Sequence, residues 1–219
     1  MPVKQCMVIL CCCIQLCAAV ELNYSGTYKG RPVNVSYSFE KKQTLDVIQS
    51  KLNSATFNEE NTTILQNNAL LQMRQITDNN IDEEYFIWEL TRHHDTYHIL
   101  YHNLKFNDQL TTTLKNSSPI SLQGLIYLIQ QYPLSVNDSL SIQLLTPWQT
   151  IIPIKFRVIK EEPYPINNST VPSYYIELEL NVFFSKLLPR TKIWVTKDRP
   201  HYLLKQISSN GTYSLNELP

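Results

Sequence analysis

Polar and apolar residues alternate with period two along most of this chain, the spacing that leaves one face of a strand wet and the other buried. Val33, Val35, Tyr37 and Phe39 alternate with Asn34, Ser36, Ser38 and Glu40. Leu140, Ile142 and Leu144 alternate with Ser139, Ser141 and Gln143, and Ile152, Ile154, Phe156 and Val158 with Pro153, Lys155 and Arg157. The longest run sets Tyr174, Ile176, Leu178, Leu180 and Val182 against Tyr175, Glu177, Glu179 and Asn181. Further strands are expected over about 22–29, 43–53, 63–76, 84–91, 96–105, 109–115, 191–197, 201–208 and 212–217, where Val, Ile, Thr and Tyr predominate.

Glycine occurs only at Gly26, Gly30, Gly124 and Gly211, so tight hairpins must take Asn or Asp at their left-handed positions. The expected corners are Asn107-Asp108, Asn137-Asp138 and Asn210-Gly211, with Gly30-Arg31 turning the first hairpin. Pro163, Pro165 and Pro172 are expected to bracket a polar loop. One stretch changes period: Leu122, Leu125, Ile126 and Ile129 recur at helical spacing, with Ser118 or Ser121 as cap, Pro133 as stop, and Gln123, Gln130 and Gln131 opposite. So short a helix is marginal alone and must dock its apolar stripe. Roughly eleven to thirteen strands and one helix predict a mainly β fold, an antiparallel β-barrel or curved half-barrel with one docked short α-helix. A two-sheet sandwich is the alternative, and the absence of a fixed-period repeat speaks against a propeller.

Composition adds a destination. Lys4 precedes an apolar run from Cys6 to Leu16, broken only by Gln15, and Ala18 and Ala19 close it. That pattern predicts a secretory signal peptide over residues 1–19, too short to span a bilayer. The exported domain is then residues 20–219, periplasmic or extracellular. All five cysteines, Cys6, Cys11, Cys12, Cys13 and Cys17, fall in the leader. The remaining domain has no disulfide, thiolate metal site or cysteine nucleophile. Ile14-Gln15-Leu16 ahead of Cys17 is not the small-residue approach of a lipid-attachment site. The 19 Lys and Arg balance the 19 Asp and Glu, with no dense basic run, so nucleic acid is not an expected partner. Lys155, Arg157, Glu177 and Glu179 in mid-strand argue against a lipid-facing barrel wall.

Three segments in order carry a likeness: Ser121-Leu122-Gln123-Gly124-Leu125-Ile126-Tyr127, Pro153-Ile154-Lys155-Phe156-Arg157-Val158 and Thr191-Lys192-Ile193-Trp194-Val195-Thr196-Lys197-Asp198. This order resembles the DUF3108 family of bacterial exported proteins of unknown function. Its members pair a leading strand bearing tyrosine and glycine, here Tyr24 to Tyr28, with a late Ile-Trp strand ending in Asp. The resemblance spans most of residues 22–215. It implies a β-barrel-like fold in the bacterial envelope and no activity.

Candidate chemistry is sparse. His93, His94, His98 and His102 lie within ten residues, and imidazole binds zinc or copper. On a helix His94, His98 and His102 would stack as a metal set; on a strand His98 and His102 share a face about 13 Å apart, too far to share one ion. A metal-dependent hydrolase using this segment is the alternative function. Asp82, Glu83 and Glu84 form an acidic run, and Glu177 and Glu179 share a strand face at about the spacing of glycosidase carboxyls. Nucleophile elbows, phosphate loops and dinucleotide fingerprints are missing, and no cofactor is expected. Thirteen tyrosines with Trp88, Trp148 and Trp194 would suit a lipid or sugar pocket. Triplets for N-glycosylation begin at Asn23, Asn34, Asn61, Asn116, Asn137, Asn167, Asn168 and Asn210, acceptors in a eukaryotic host and expected to face solvent. The expected function is non-catalytic: holding a lipid or other amphipathic ligand, or an envelope protein partner.

Overall fold

Alternation of this kind builds sheets, and here it builds one. The computed structural model describes residues 19–80, 84–115, 119–146, 150–181 and 189–219. Residues 1–18 of the expected leader, with all five cysteines, and Asp82, Glu83, Ser118 and Val182 lie outside them. Eight strands form a first meander: β1 (Val20–Tyr28), β2 (Arg31–Lys42), β3 (Leu45–Asn53), β4 (Phe57–Gln66), β5 (Ala69–Asn79), β6 (Glu84–His93), β7 (Thr96–Asn103) and β8 (Asp108–Lys115). After helix α1 (Leu122–Gln131) a second meander follows: β9 (Ser139–Leu145), β10 (Ile151–Ile166), β11 (Ser169–Leu180), β12 (Thr191–Thr196), β13 (Leu203–Ile207) and β14 (Gly211–Leu215). β14 returns to pair with β1, so one antiparallel sheet runs from β8 through β1 and β14 to β9.

The sheet curls rather than splitting into two layers. Its edges, β8 and β9, are joined through the α1 segment. From Lys115 to Ile120 is five residues, a reach of at most about 18 Å. Ile120 then bonds the far edge, its N–H donating to the Gln143 carbonyl at 2.8 Å and its carbonyl accepting from the Leu145 N–H at 2.9 Å. The architecture is therefore barrel-like, as alternation predicts, and not a sandwich. At the β1–β14 seam the strands approach so closely that a Cβ on Gly26 would stand 1.9 Å from the Thr212 carbonyl oxygen. Only glycine fits there.

Asparagine does turn the hairpins, at more places than expected. Asn67, Asn68, Asn107, Asn137 and Asn167 all have positive φ. The Asn67-Asn68 pair breaks the expected 63–76 strand into β4 and β5. The first hairpin turns on Lys29 and Gly30, one residue earlier than Gly30-Arg31. The expected polar loop at Pro163–Pro172 is instead the far end of the β10–β11 hairpin, with Pro163 opposite Pro172. Two prolines can oppose each other only where neither N–H is needed by the partner. The outer edge of β10 is free there, because β9 pairs only with residues 151–157.

Ser121 caps α1, accepting a hydrogen bond from the Gly124 N–H at 3.0 Å, and the helix ends at Tyr132 before Pro133. Leu125, Ile126 and Ile129 are buried as predicted, but Leu122 is 40% exposed while Gln123 and Gln130 are buried. The helix packs on the inner side of β3 and β4, and Tyr127 stacks on Phe39 at 6.0 Å. Held inside a curve, it is covered on more than one side, so its polar flank is buried too.

Candidate functional site

Register decides what the inner face presents. Leu22, Tyr24, Val35, Ile48, Ile99, Ile176 and Ile193 form its apolar floor. Across β3, β4 and β5 the pairing also sets Leu52, Glu59 and Thr77 in one row, and Ser50, Asn61 and Gln75, with Trp88 of β6 opposite Gln75, in the next. The interior of the first meander is thus mixed. It encloses, with α1 and the inner strands of the second meander, a cavity of about 620 Å³. Small-molecule sites of this kind commonly measure about 300–1,000 Å³.

Polar groups cluster on one wall of the cavity. Glu59 lines it together with Tyr37, Tyr213, Gln75 and Thr77. Burial pushes the Glu59 carboxyl up to about 7. Burial likewise raises the Tyr37 and Tyr213 hydroxyls, with further contributions from neighbouring tyrosines and from Glu59 itself. Tyr28 stacks on Phe57 with ring centroids 4.9 Å apart, adding aromatic surface to the same wall. Among the described residues the Trp88 Nε1–H, buried beside the cavity, has no hydrogen-bond partner. A donor left open in this way suits a bound acceptor.

Asn61 corrects an expectation: it is 2% exposed, not solvent-facing. Its Oδ1 accepts from the Thr63 hydroxyl at 3.0 Å. Asn23, Asn34, Asn137, Asn167, Asn168 and Asn210 are exposed as expected, and Asn116 lies outside the described residues.

The histidines sit elsewhere. Tyr97 and Ile99 of β7 are buried on the inner face, which turns His98 and His102 to the outer one. His94 occupies the β6–β7 turn with φ of 54°, and His93 meets His98 ring to ring at 5.2 Å. His102 approaches the Asn107 Oδ1 at 3.4 Å. Segment 96–103 is a strand, so His94, His98 and His102 do not stack at helical spacing. Among the described residues no group of three or more His, Cys, Asp or Glu is placed to hold a metal ion.

Glu177 and Glu179 lie in an ion network. Arg190 bonds Glu177 at 2.6 Å and Glu179 at 3.3 Å, and Arg157 reaches Glu179 at 3.1 Å. Burial alone would raise the Glu177 carboxyl, yet hydrogen bonds from Tyr175 and Arg190 hold it below the usual range. A carboxyl so neutralised is a poor general acid. Trp194 packs on Tyr175 at 4.9 Å and donates to Glu162 at 2.8 Å, whereas Trp88 lines the cavity. Trp148 lies outside the described residues. Sequence reasoning missed Glu59, because segment 57–62 is polar at nearly every position and shows no alternation, and it missed Gln75 and Thr77, polar residues at inner positions of β5.

The fold defines a barrel-like, single-sheet class of protein. Among solved structures, the chain is similar to one described as a beta-barrel-like protein of domain of unknown function DUF1849 from Brucella abortus. The TM-score is 0.56 at 7% identity, over 90% of this chain and 93% of that one. The likeness is one of fold. No protein-family model and no curated protein matches the chain.

Proposed function

We propose that this chain is an exported, non-catalytic protein of the cell envelope that holds an amphipathic small molecule inside its curled sheet. The supporting observation is the cavity, with apolar and aromatic lining and one polar wall whose Trp88 donor has no partner among the described residues. Such a chamber suits a ligand with an apolar body and a polar head. The leader pattern of residues 1–19 and the DUF3108-like segments support export and an envelope setting. The outer histidines and paired glutamates give the hydrolase alternative no comparable footing.

The test is titration with a fluorescent apolar probe such as N-phenyl-1-naphthylamine, on the wild type and on Thr77→Trp, which fills the cavity. Saturable binding that the substitution weakens about tenfold or more would support the proposal. Failure of the wild type to bind any apolar probe would remove it. Intact mass of the secreted product tests export and locates the cleavage.

A further inference from the structure

Glu59 is unusual among the carboxylates lining this cavity. Its row partners, Leu52 and Thr77, carry no charge. Among the described residues it has neither a hydrogen bond nor an ion pair. The other lining carboxylate, Glu179, is held by Arg157 and Arg190. Lys51, the cation among the lining residues, is turned out to Glu60 at 2.9 Å, both side chains being more than half exposed. Among the described residues the wall therefore presents one acid without a cation partner to the cavity.

Around that acid stand rings. Tyr37 and Tyr213 are close enough to feel its charge, and Tyr28 and Phe57 stack on the same wall. A carboxylate sharing a cavity wall with aromatic rings is the chemistry that recognises an ammonium group, which gains from both the charge and the ring quadrupoles. An anionic head would meet like charge, and Lys51, the cation among the described lining residues, is paired with Glu60.

We propose that the ligand held in this cavity carries a cationic amine head, seated against Glu59 on the wall it shares with Tyr37 and Tyr213, with its apolar body along the inner face. The inference rests on the ligand-holding role proposed above and names the class of ligand. The raised Glu59 carboxyl agrees, being the mark of a half-buried acid with no cation partner among the described residues.

Displacement of a neutral naphthylamine probe by dodecylamine and by laurate, matched in chain length, tests this at pH 8. Dodecylamine is expected to displace at a concentration about ten- to a hundredfold lower, the worth of one charge-assisted contact. Glu59→Gln is expected to narrow that gap. Equal displacement by the two, or preference for laurate, would overturn the amine head and leave the ligand-holding role standing. If probe, amine and laurate all fail to bind the wild type, the ligand-holding role falls and the amine head with it.

Discussion

The hydroxyl of Ser121 lies 3.1 Å from that of Thr63, joining the start of the helix to the inside of β4 across fifty-eight residues of chain. The bonds run in one direction: the Gly124 N–H donates to Ser121, Ser121 to Thr63, and Thr63 to Asn61. The helix cap is thereby tied to the cavity wall, and α1 is fixed within the curve rather than laid over its mouth.

Ser121→Ala is expected to remove the cap and leave Thr63 short of a partner. The expected loss is about 1–2 kcal/mol, read from the urea midpoint. A loss under about 0.3 kcal/mol would mean the cap and its link to β4 carry no weight.

Gly26→Ala places a methyl group where the Thr212 carbonyl already is, so the β1–β14 seam must open. Destabilisation of about 2 kcal/mol or more is expected, seen as a lowered Tm. At Gly30, with φ of 76° and open space around it, alanine is expected to cost about 1 kcal/mol through backbone strain alone. The ordering of the two variants is the check.

Stability is expected to fall as pH rises through the Glu59 window. Unfolded, this carboxyl releases its proton near 4.5; folded, near about 7. Between those values the native state holds the extra proton, so its contribution is complete below the window and is lost as pH climbs through it. Urea midpoints at pH 4, 6 and 8 should show the wild type losing ground to Glu59→Gln with rising pH. Parallel profiles would show that Glu59 is not desolvated.

Replacing His94, His98 and His102 together is expected to leave both the metal content and apolar-probe binding unchanged, because these side chains belong to the outer face and a turn. Loss of a bound metal, measured by plasma emission, would reverse that assignment.

Much of the architecture is legible in the sequence where one face is wet and the other dry. β2, β9 and β11 read directly from alternation, and Ser121 and Pro133 mark the helix ends. β4 does not, because its inner positions, Glu59, Asn61 and Thr63, are polar: Glu59 lines the cavity, and Asn61 and Thr63 are buried and hydrogen-bonded beneath the helix cap. The same cause hid the candidate site: residues that line a chamber break the pattern that identifies a strand. Pro163 and Pro172 misled for a different reason, since an unpaired sheet edge tolerates the missing N–H that a central strand would not.

Native mass spectrometry of the mature chain, purified from a secreting host without detergent, measures the central claim most directly. A discrete adduct released on denaturation, and absent from Thr77→Trp, is the expected result. A bare polypeptide mass, from protein that also ignores every apolar probe offered, would contradict the account.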